Sequence, residues 1–307
     1  MGIAELKESF KTVQISKSDY IVQMHKFHKA LFEYADFIRT TDIEKIEIAD
    51  NQVIMTSREY GLKMICDPFD RRIAPIETLN FDYYEKIDSN MIVRLAKDCK
   101  SIFDIGGNFG WYSLLLAKIY PDAQLYTFEP VPRTFEYLHN NITLNRLNNI
   151  QLYNFGFSDL EQELNFFYYP EGSGNASIAN LSEKEEVQSV RCMVKKLDDF
   201  VEDQGSCINF IKCDVEGAEL LVFKGGINSI RRYKPIVFAE LLRKWSAKFN
   251  YHPNEVIALF RSYGYSCFTA HEDKLVGFDV MDDQTTETNF FFLHKEQHSD
   301  KIQLYCR

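Results

Sequence analysis

Residues 101–120 constrain this chain more than any other stretch. The apolar run Ser101-Ile102-Phe103 leads into Asp104-Ile105-Gly106-Gly107-Asn108-Phe109-Gly110 and then into a mostly apolar segment, 111–120. That order spells a strand, a tight turn and a helix, the opening of a unit in which strands alternate with crossover helices. Glycines in such a turn permit positive φ and let another group approach the main chain without meeting a Cβ. Taken alone they are equally explained by a helix packing closely on its strand. The acid is more specific. A dinucleotide fingerprint begins with glycine so that a pyrophosphate can rest on the helix N-terminus. Here Asp104 stands in that place, and its carboxylate would repel phosphate and welcome a cation.

A second acid falls one helix later. Leu125-Tyr126-Thr127-Phe128 is an apolar strand that ends at Glu129-Pro130. In a doubly wound sheet the acid closing the second strand can accept both hydroxyls of an adenosine ribose. Glu129 also reads as an ordinary acid ahead of a helix that carries Pro132 in its first turn. That reading does not account for its coincidence with Asp104. An adenosine bearing a cationic sulfonium in place of phosphate, S-adenosylmethionine, satisfies both positions.

Composition narrows the partners. With 307 residues and 45% hydrophobic content the chain can bury one large core and an appended segment. A net charge of -10 and an isoelectric point near 5.3 argue against a nucleic acid, whose binding needs clustered Lys and Arg. No apolar run reaches the length of a membrane span, and the start has no signal-type apolar block, so no membrane partner is expected. Seven cysteines without CxxC or Cys/His ligand spacing predict neither disulfides nor structural zinc, and place the protein in the reducing cytoplasm.

Along the chain, residues 18–39 carry apolar positions at helical spacing, with Ser18 or Asp19 as N-cap. This helix is expected to pack on the main body or to dock a second subunit. Residues 45–66 alternate as a small β meander, and 74–98 read as a linker followed by a helix from about Asp82. From 101 onward strand and helix alternate, which predicts an α/β fold with a mainly parallel sheet covered on both faces. The expected division is 1–82, an amino-terminal helix and meander serving the acceptor or oligomer, and 83–307, the sheet domain. Between the hairpin arms 163–169 and 187–194, the small polar residues 171–177 read as a lid loop.

At the fourth such strand, Ile211-Lys212-Cys213-Asp214-Val215-Glu216-Gly217-Ala218-Glu219 puts three acids into six positions. Asp214 and Glu216 are candidates for a base at the reacting centre, with Glu240, at the end of the next apolar strand, the next choice. Glu219 reads as a first-turn helix acid. A divalent metal could bridge these acids, but acids beside a cationic ligand need none, and no metal is predicted.

In order along the chain, Asp104-Ile-Gly-Gly-Asn-Phe-Gly110, Phe128-Glu-Pro130, Leu144-Asn145, Ser158-Asp159, Leu197-Asp-Asp-Phe200, the 211–219 segment and Phe238-Ala-Glu-Leu241 resemble the FkbM family of methyltransferases. The resemblance covers about residues 101–270. It implies a class I Rossmann-like methyltransferase sheet with an antiparallel last strand, and S-adenosylmethionine as donor. By resemblance Asp104, Gly106, Asn108 and Gly110 line the methionine and sulfonium side. Glu129, followed by Pro130, holds the ribose, and Ser158 with Asp159 lies near the adenine. Tyr84-Glu85 is similar to a Tyr-Glu pair that closes the methionine end. Gly107 departs from the alanine common in the family, which puts only the stiffness of the turn in question. The implied activity is O-methylation of a sugar or glycosylated small-molecule hydroxyl. Three rivals stay open: transfer to nitrogen or carboxyl oxygen, an NAD-dependent oxidoreductase, and a non-catalytic protein that binds cofactor or partners through its amino-terminal helix.

Overall fold

A computed structural model describes residues 2–169, 171–180 and 187–306. Two helices come first, α1 (Ile3–Lys11) and α2 (Lys17–Phe37). Ser16 caps α2, its Oγ accepting the Asp19 amide at 3.1 Å, so neither Ser18 nor Asp19 is the cap. α1 folds back on α2, stacking Phe10 on Tyr20 at 4.4 Å and burying Leu6. α2 itself buries no residue, and Ile21, Leu31 and Phe32 remain 56%, 55% and 69% exposed. The expected burial of this helix against the main body does not form.

The predicted meander does form: β1 (Ile43–Ala49), β2 (Gln52–Ser57) and β3 (Lys63–Cys66) pair antiparallel in that order. Asp50 and Asn51, both at positive φ, make its first tight turn. Next come α3 (Ala74–Phe81) and α4 (Lys86–Ala96). The stretch read as a linker is thus a helix, started by Pro75 in its first turn.

The sheet domain runs β4 (Ser101–Ile105), α5 (Trp111–Ile119), β5 (Gln124–Phe128), α6 (Pro132–Asn145) and β6 (Ile150–Tyr153). A small side sheet follows, built from β7 (Gly156–Phe157), β8 (Gln162–Tyr169), β9 (Gly172–Ser177) and β10 (Gln188–Lys195). The chain continues through α7 (Leu197–Gln204), β11 (Phe210–Cys213), α8 (Glu219–Gly225), α9 (Ile227–Tyr233) and β12 (Ile236–Glu240). It closes with α10 (Arg243–Ser246), α11 (Asn254–Ser262), β13 (Tyr265–His271), β14 (Lys274–Phe278), β15 (Asn289–His294) and α12 (Ser299–Tyr305). The lid expected at 171–177 is largely β9, whose Ser177 and Gly172 face Phe167 and Tyr169 of β8. Part of the predicted hairpin connection, Pro170 and residues 181–186, lies outside the described residues.

The large sheet has the order β14-β13-β15-β12-β11-β4-β5-β6. β6, β5, β4, β11 and β12 are mutually parallel, and β15 inserts antiparallel between β12 and β13. Every residue of β4 and β11 is buried, which is why these strands are mostly apolar, the charged Asp104 and Lys212 pairing inside them. One face packs Leu114, Leu115 and Leu138, the other Phe128, Phe200 and Phe223. The chain steps outward from β4 through β5 to β6, then returns to β11 on the far side of β4. The crevice between the carboxyl ends of β4 and β11 is therefore the switch point, where ligands bind in such sheets.

α6 ties the meander to this sheet. Asn145 Nδ2 donates to the Lys63 carbonyl at 2.7 Å while its Oδ1 accepts the Lys63 amide at 2.9 Å. Asn141 Oδ1 accepts the Ile65 amide at 2.8 Å. Two asparagines one helical turn apart thus take the open edge of β3, as a further strand would.

Candidate active site

The turn from β4 to α5 is shaped by the protein's own close approach. Gly106 has φ +77°, and a Cβ there would lie 1.8 Å from the Asp214 carbonyl oxygen. The β4 and β11 turns therefore touch, and no side chain fits between them. A Cβ at Gly107 would meet Thr127 Cγ2 at 2.4 Å, so in this chain the alanine common in the family would collide with β5. Asn108 sits at φ +47°, and Gly110, at φ +98°, precedes α5 as its N-cap.

Asp104 lies beneath that turn, 1% exposed. Its Oδ2 accepts from Ser113 Oγ at 2.6 Å, and its Oδ1 lies 3.4 Å from Lys212 Nζ without a hydrogen bond. Lys212, on a fully buried strand, also lies 3.5 Å from Asp214 and donates to the Gly106 carbonyl at 2.6 Å. Burial alone would lower the pKa of its ammonium. The Asp214 and Asp104 carboxylates reverse that and raise it, so the charge persists.

Asp214, Glu216 and Glu240 converge at the ends of β11 and β12, each offering an oxygen within 4.8 Å of the others. Burial pushes the Glu216 carboxyl well up, and the nearby Asp214 and Glu219 push it further. Burial, then Asp214 and Glu216, does the same to Glu240. Asp214 Oδ1 and Glu216 Oε2 are buried with no hydrogen-bond partner. Buried acid oxygens left this way are incomplete until a hydrogen-bond donor or a further positive charge arrives. They fit the sulfonium of S-adenosylmethionine, and the three acids could equally hold a divalent cation.

The turn carrying these acids is braced from both sides. Glu216 is held at φ +54° and Gly217 at φ +100°. Glu219 reaches back from α8, its Oε1 accepting the amides of Gly217 at 3.0 Å and Val215 at 3.2 Å. Tyr251 hydroxyl stands 2.8 Å from the Gly217 carbonyl and 3.1 Å from Glu219 Oε2. Ser177 of β9 donates to the Glu216 carbonyl at 2.9 Å. Glu219 is thus more than a helix-end acid. Burial lifts its carboxyl to about 7 against the lowering pull of these amides.

Glu129, 5% exposed, accepts the amides of Asn108 at 3.0 Å and Val131 at 2.9 Å, one on each oxygen. Burial lifts its carboxyl to about 7. Each oxygen keeps a second lone pair, so the group retains capacity for two hydroxyls. Asn154 Nδ2 fixes the Glu129 and Pro130 carbonyls at 2.8 and 3.1 Å. Glu85, at φ +40°, is hydrogen-bonded to the Tyr112 hydroxyl, and burial lifts it to about 7. Asp214 and Lys212 both act on Glu85, which brings it to the same crevice. Ser158 stands apart: it is buried against α8, where a Cβ on Gly225 would lie 2.1 Å from its carbonyl oxygen. Its Oγ donates to the half-buried Asp159 at 3.2 Å.

Lys212 and Tyr112 were not singled out from the sequence as functional, and Tyr251, which the sequence offers as a ring for stacking on a sugar, instead lies buried against Gly217 and Glu219. For Lys212 a signal exists, since a lysine inside an apolar strand next to an acid must be paired if it is buried.

The profile described as Methyltransferase FkbM domain matches residues 104–267. Methyltransferase 1 of Beauveria bassiana is 29% identical over 184 residues, 52% of this chain and 73% of that protein. The 2-O-methyltransferase NoeI of Sinorhizobium fredii is 29% identical over 162 residues, 48% of this chain and 65% of that one. A crystal structure of methyltransferase FkbM from Methylobacillus flagellatus aligns at 16% identity and a TM-score of 0.41, over 64% of this chain and 44% of that one.

Proposed function

The chain belongs to the FkbM family of methyltransferases, and from that premise we propose that it transfers the methyl group of S-adenosylmethionine to a hydroxyl oxygen of a sugar or glycosylated small molecule. The oxidoreductase reading falls with the family match. The observation that carries the proposal is the set Asp214, Glu216 and Glu240, three acid oxygens within 4.8 Å at the switch point. They face the crevice from the side opposite Asn108 and Glu129. S-adenosylmethionine supplies an electrophilic methyl on a cationic sulfur. Glu129, with Asn108 behind it, takes the ribose hydroxyls, and Glu85 with Asp214 balances the positive end.

Methyl transfer is an in-line displacement. The acceptor oxygen forms its bond to the methyl carbon as the carbon–sulfur bond breaks, leaving a neutral thioether and one proton to be taken up. Holding the two centres in line can supply about 7–11 kcal/mol of the barrier. The proton goes to Glu216 or Asp214, with Glu240 beside them to share it. A sugar hydroxyl keeps its proton at neutral pH, so a base is needed as attack proceeds, and a raised carboxyl is stronger than an ordinary one. The arriving sulfonium favours the ionised form of these acids, so donor binding prepares the base.

Oxygen rather than nitrogen as acceptor atom is supported by the relative NoeI, described as a 2-O-methyltransferase. Labelled donor offered with a panel of neutral saccharides and amines tests this: label should enter a base-stable ether on a saccharide in wild type and fall sharply in Asp214→Asn. Label found only in amines would contradict it. A cytoplasmic site for the reaction is part of this proposal, and the seven free cysteines support it. The exposed face of α2 goes to a second copy of the chain. Lys26, Lys29, Glu33 and Asp36 share one stripe of α2, so two such helices crossing antiparallel on that stripe, at the level of Leu31, set opposite charges face to face.

A further inference from the structure

Away from the switch point, the seam between the meander and the sheet domain encloses a second cavity of about 960 Å³. That is near the upper end of the roughly 300–1,000 Å³ common for ligand pockets, more than one sugar ring requires. The β1–β2 turn, α3, α6 and the segment after β3 form its walls. Its chemistry is unusual in being rich in amides: Asn51, Gln52, Asn80 and Asn140 all line it. No side-chain hydrogen bond within the described residues engages any of the four. An amide offers two donors and an acceptor, which matches a hydroxyl that both gives and accepts. Tyr137, packed against Phe109 with centroids 4.9 Å apart, supplies a half-buried ring for the apolar face of a sugar.

The cavity holds two guanidinium groups, and both are already paired. Arg133 is bound to the buried Asp67, and Arg71 lies 3.2 Å from Glu171. With Asp70 and Glu136 also in the wall, no unpaired cation is left to attract a phosphate or carboxylate. The lining selects for a neutral polyhydroxyl ligand. Two lining residues lie close along the chain to groups of the reaction site. Arg133 is four residues beyond Glu129, and Arg71 precedes Arg72, whose charge acts on Glu216.

We propose that this cavity is a saccharide subsite, holding neutral sugar units of the acceptor beyond the one that is methylated. The inference rests on the sugar O-methylation reading above and extends it from a single hydroxyl to an oligosaccharide chain.

Saturation-transfer NMR on the full chain tests it, with S-adenosylhomocysteine present and maltotetraose, cellotetraose, chitotetraose and mannotetraose as probes, beside ATP as an anionic control. At least one neutral tetrasaccharide should receive saturation, and Asn80→Ala/Asn140→Ala should cut that signal at least fivefold while S-adenosylhomocysteine still binds. Three results would overturn the subsite: no tetrasaccharide signal, an equal signal in the double variant, or preference for ATP. Labelled-methyl transfer to the same probes separates this from the underlying reading. Saccharide methylation that is unchanged in the double variant rejects the subsite alone, whereas no methylation of any saccharide rejects the reading itself.

Discussion

Lys212 Nζ stands 3.5 Å from the Asp214 carboxylate, on a strand whose every residue is buried. This single ammonium also neutralises Asp104, so it joins the two turns that meet at the switch point. Lys212→Met should leave two acids without their counter-charge. The expected loss is about 3–5 kcal/mol of stability, because removing one partner of a buried pair strands the other. Urea unfolding monitored by circular dichroism measures it, and a change under about 1 kcal/mol would mean that the pair is not buried as described.

Glu219 and the amides it holds make a second prediction. Glu219→Ala frees Val215 and Gly217 and should let Glu216 drift, lowering kcat by about tenfold to a hundredfold. Glu219→Gln keeps an acceptor oxygen for both amides and should recover most of that loss. Equal impairment of the two variants would show that the charge of Glu219, rather than its grip on the turn, is what matters.

The raised acids give a signed pH dependence. Burial lifts the Glu85 carboxyl to about 7, and raises Glu216 and Glu240 above the ordinary carboxyl range. Their ionised forms favour a sulfonium, so affinity for S-adenosylmethionine should strengthen as pH rises from 6 to 8. S-adenosylhomocysteine lacks the methyl group, and with it the sulfonium charge, and should strengthen less. The ratio of the two affinities therefore rises with pH, by at most about tenfold per unit for each proton displaced. Calorimetry in buffers of different ionisation enthalpy should detect proton release with the sulfonium ligand. A flat ratio would place the sulfonium away from these acids.

Much of this was legible because parallel buried strands leave an unbroken apolar signature, and their ends are then easy to mark. Asp104, Glu129, Asp214 and Glu240 were found in that way. What failed to show depends on non-local geometry. Glu219 looks like any first-turn acid until the turn, with Glu216 and Gly217 at positive φ, aims the Val215 and Gly217 amides at it. Gly107 looked replaceable, and only the position of Thr127 on the neighbouring strand makes it tight. Residues 172–177 are small and polar, as loops are, yet β8 offered them a free edge. Spacing in α2 correctly gave a helix but said nothing of what would cover it, and its own chain leaves it open.

That open face yields a prediction about assembly. Sedimentation should show a dimer for the full chain and a monomer after removal of residues 1–40, with S-adenosylhomocysteine binding retained. Glu33→Lys/Asp36→Lys should break the dimer by opposing like charges, and adding Lys26→Glu/Lys29→Glu should restore it. A monomer at every concentration would remove the second copy as occupant of α2.

The most direct measurement is calorimetric titration of S-adenosylhomocysteine into wild type and Glu129→Ala, with NAD as the comparison ligand. The donor site described here predicts saturable one-to-one binding in wild type, a loss of at least tenfold in affinity in Glu129→Ala, and no binding of NAD. Wild-type affinity in the variant, or binding of NAD in place of the homocysteine product, would contradict the assignment of this crevice to the methyl donor.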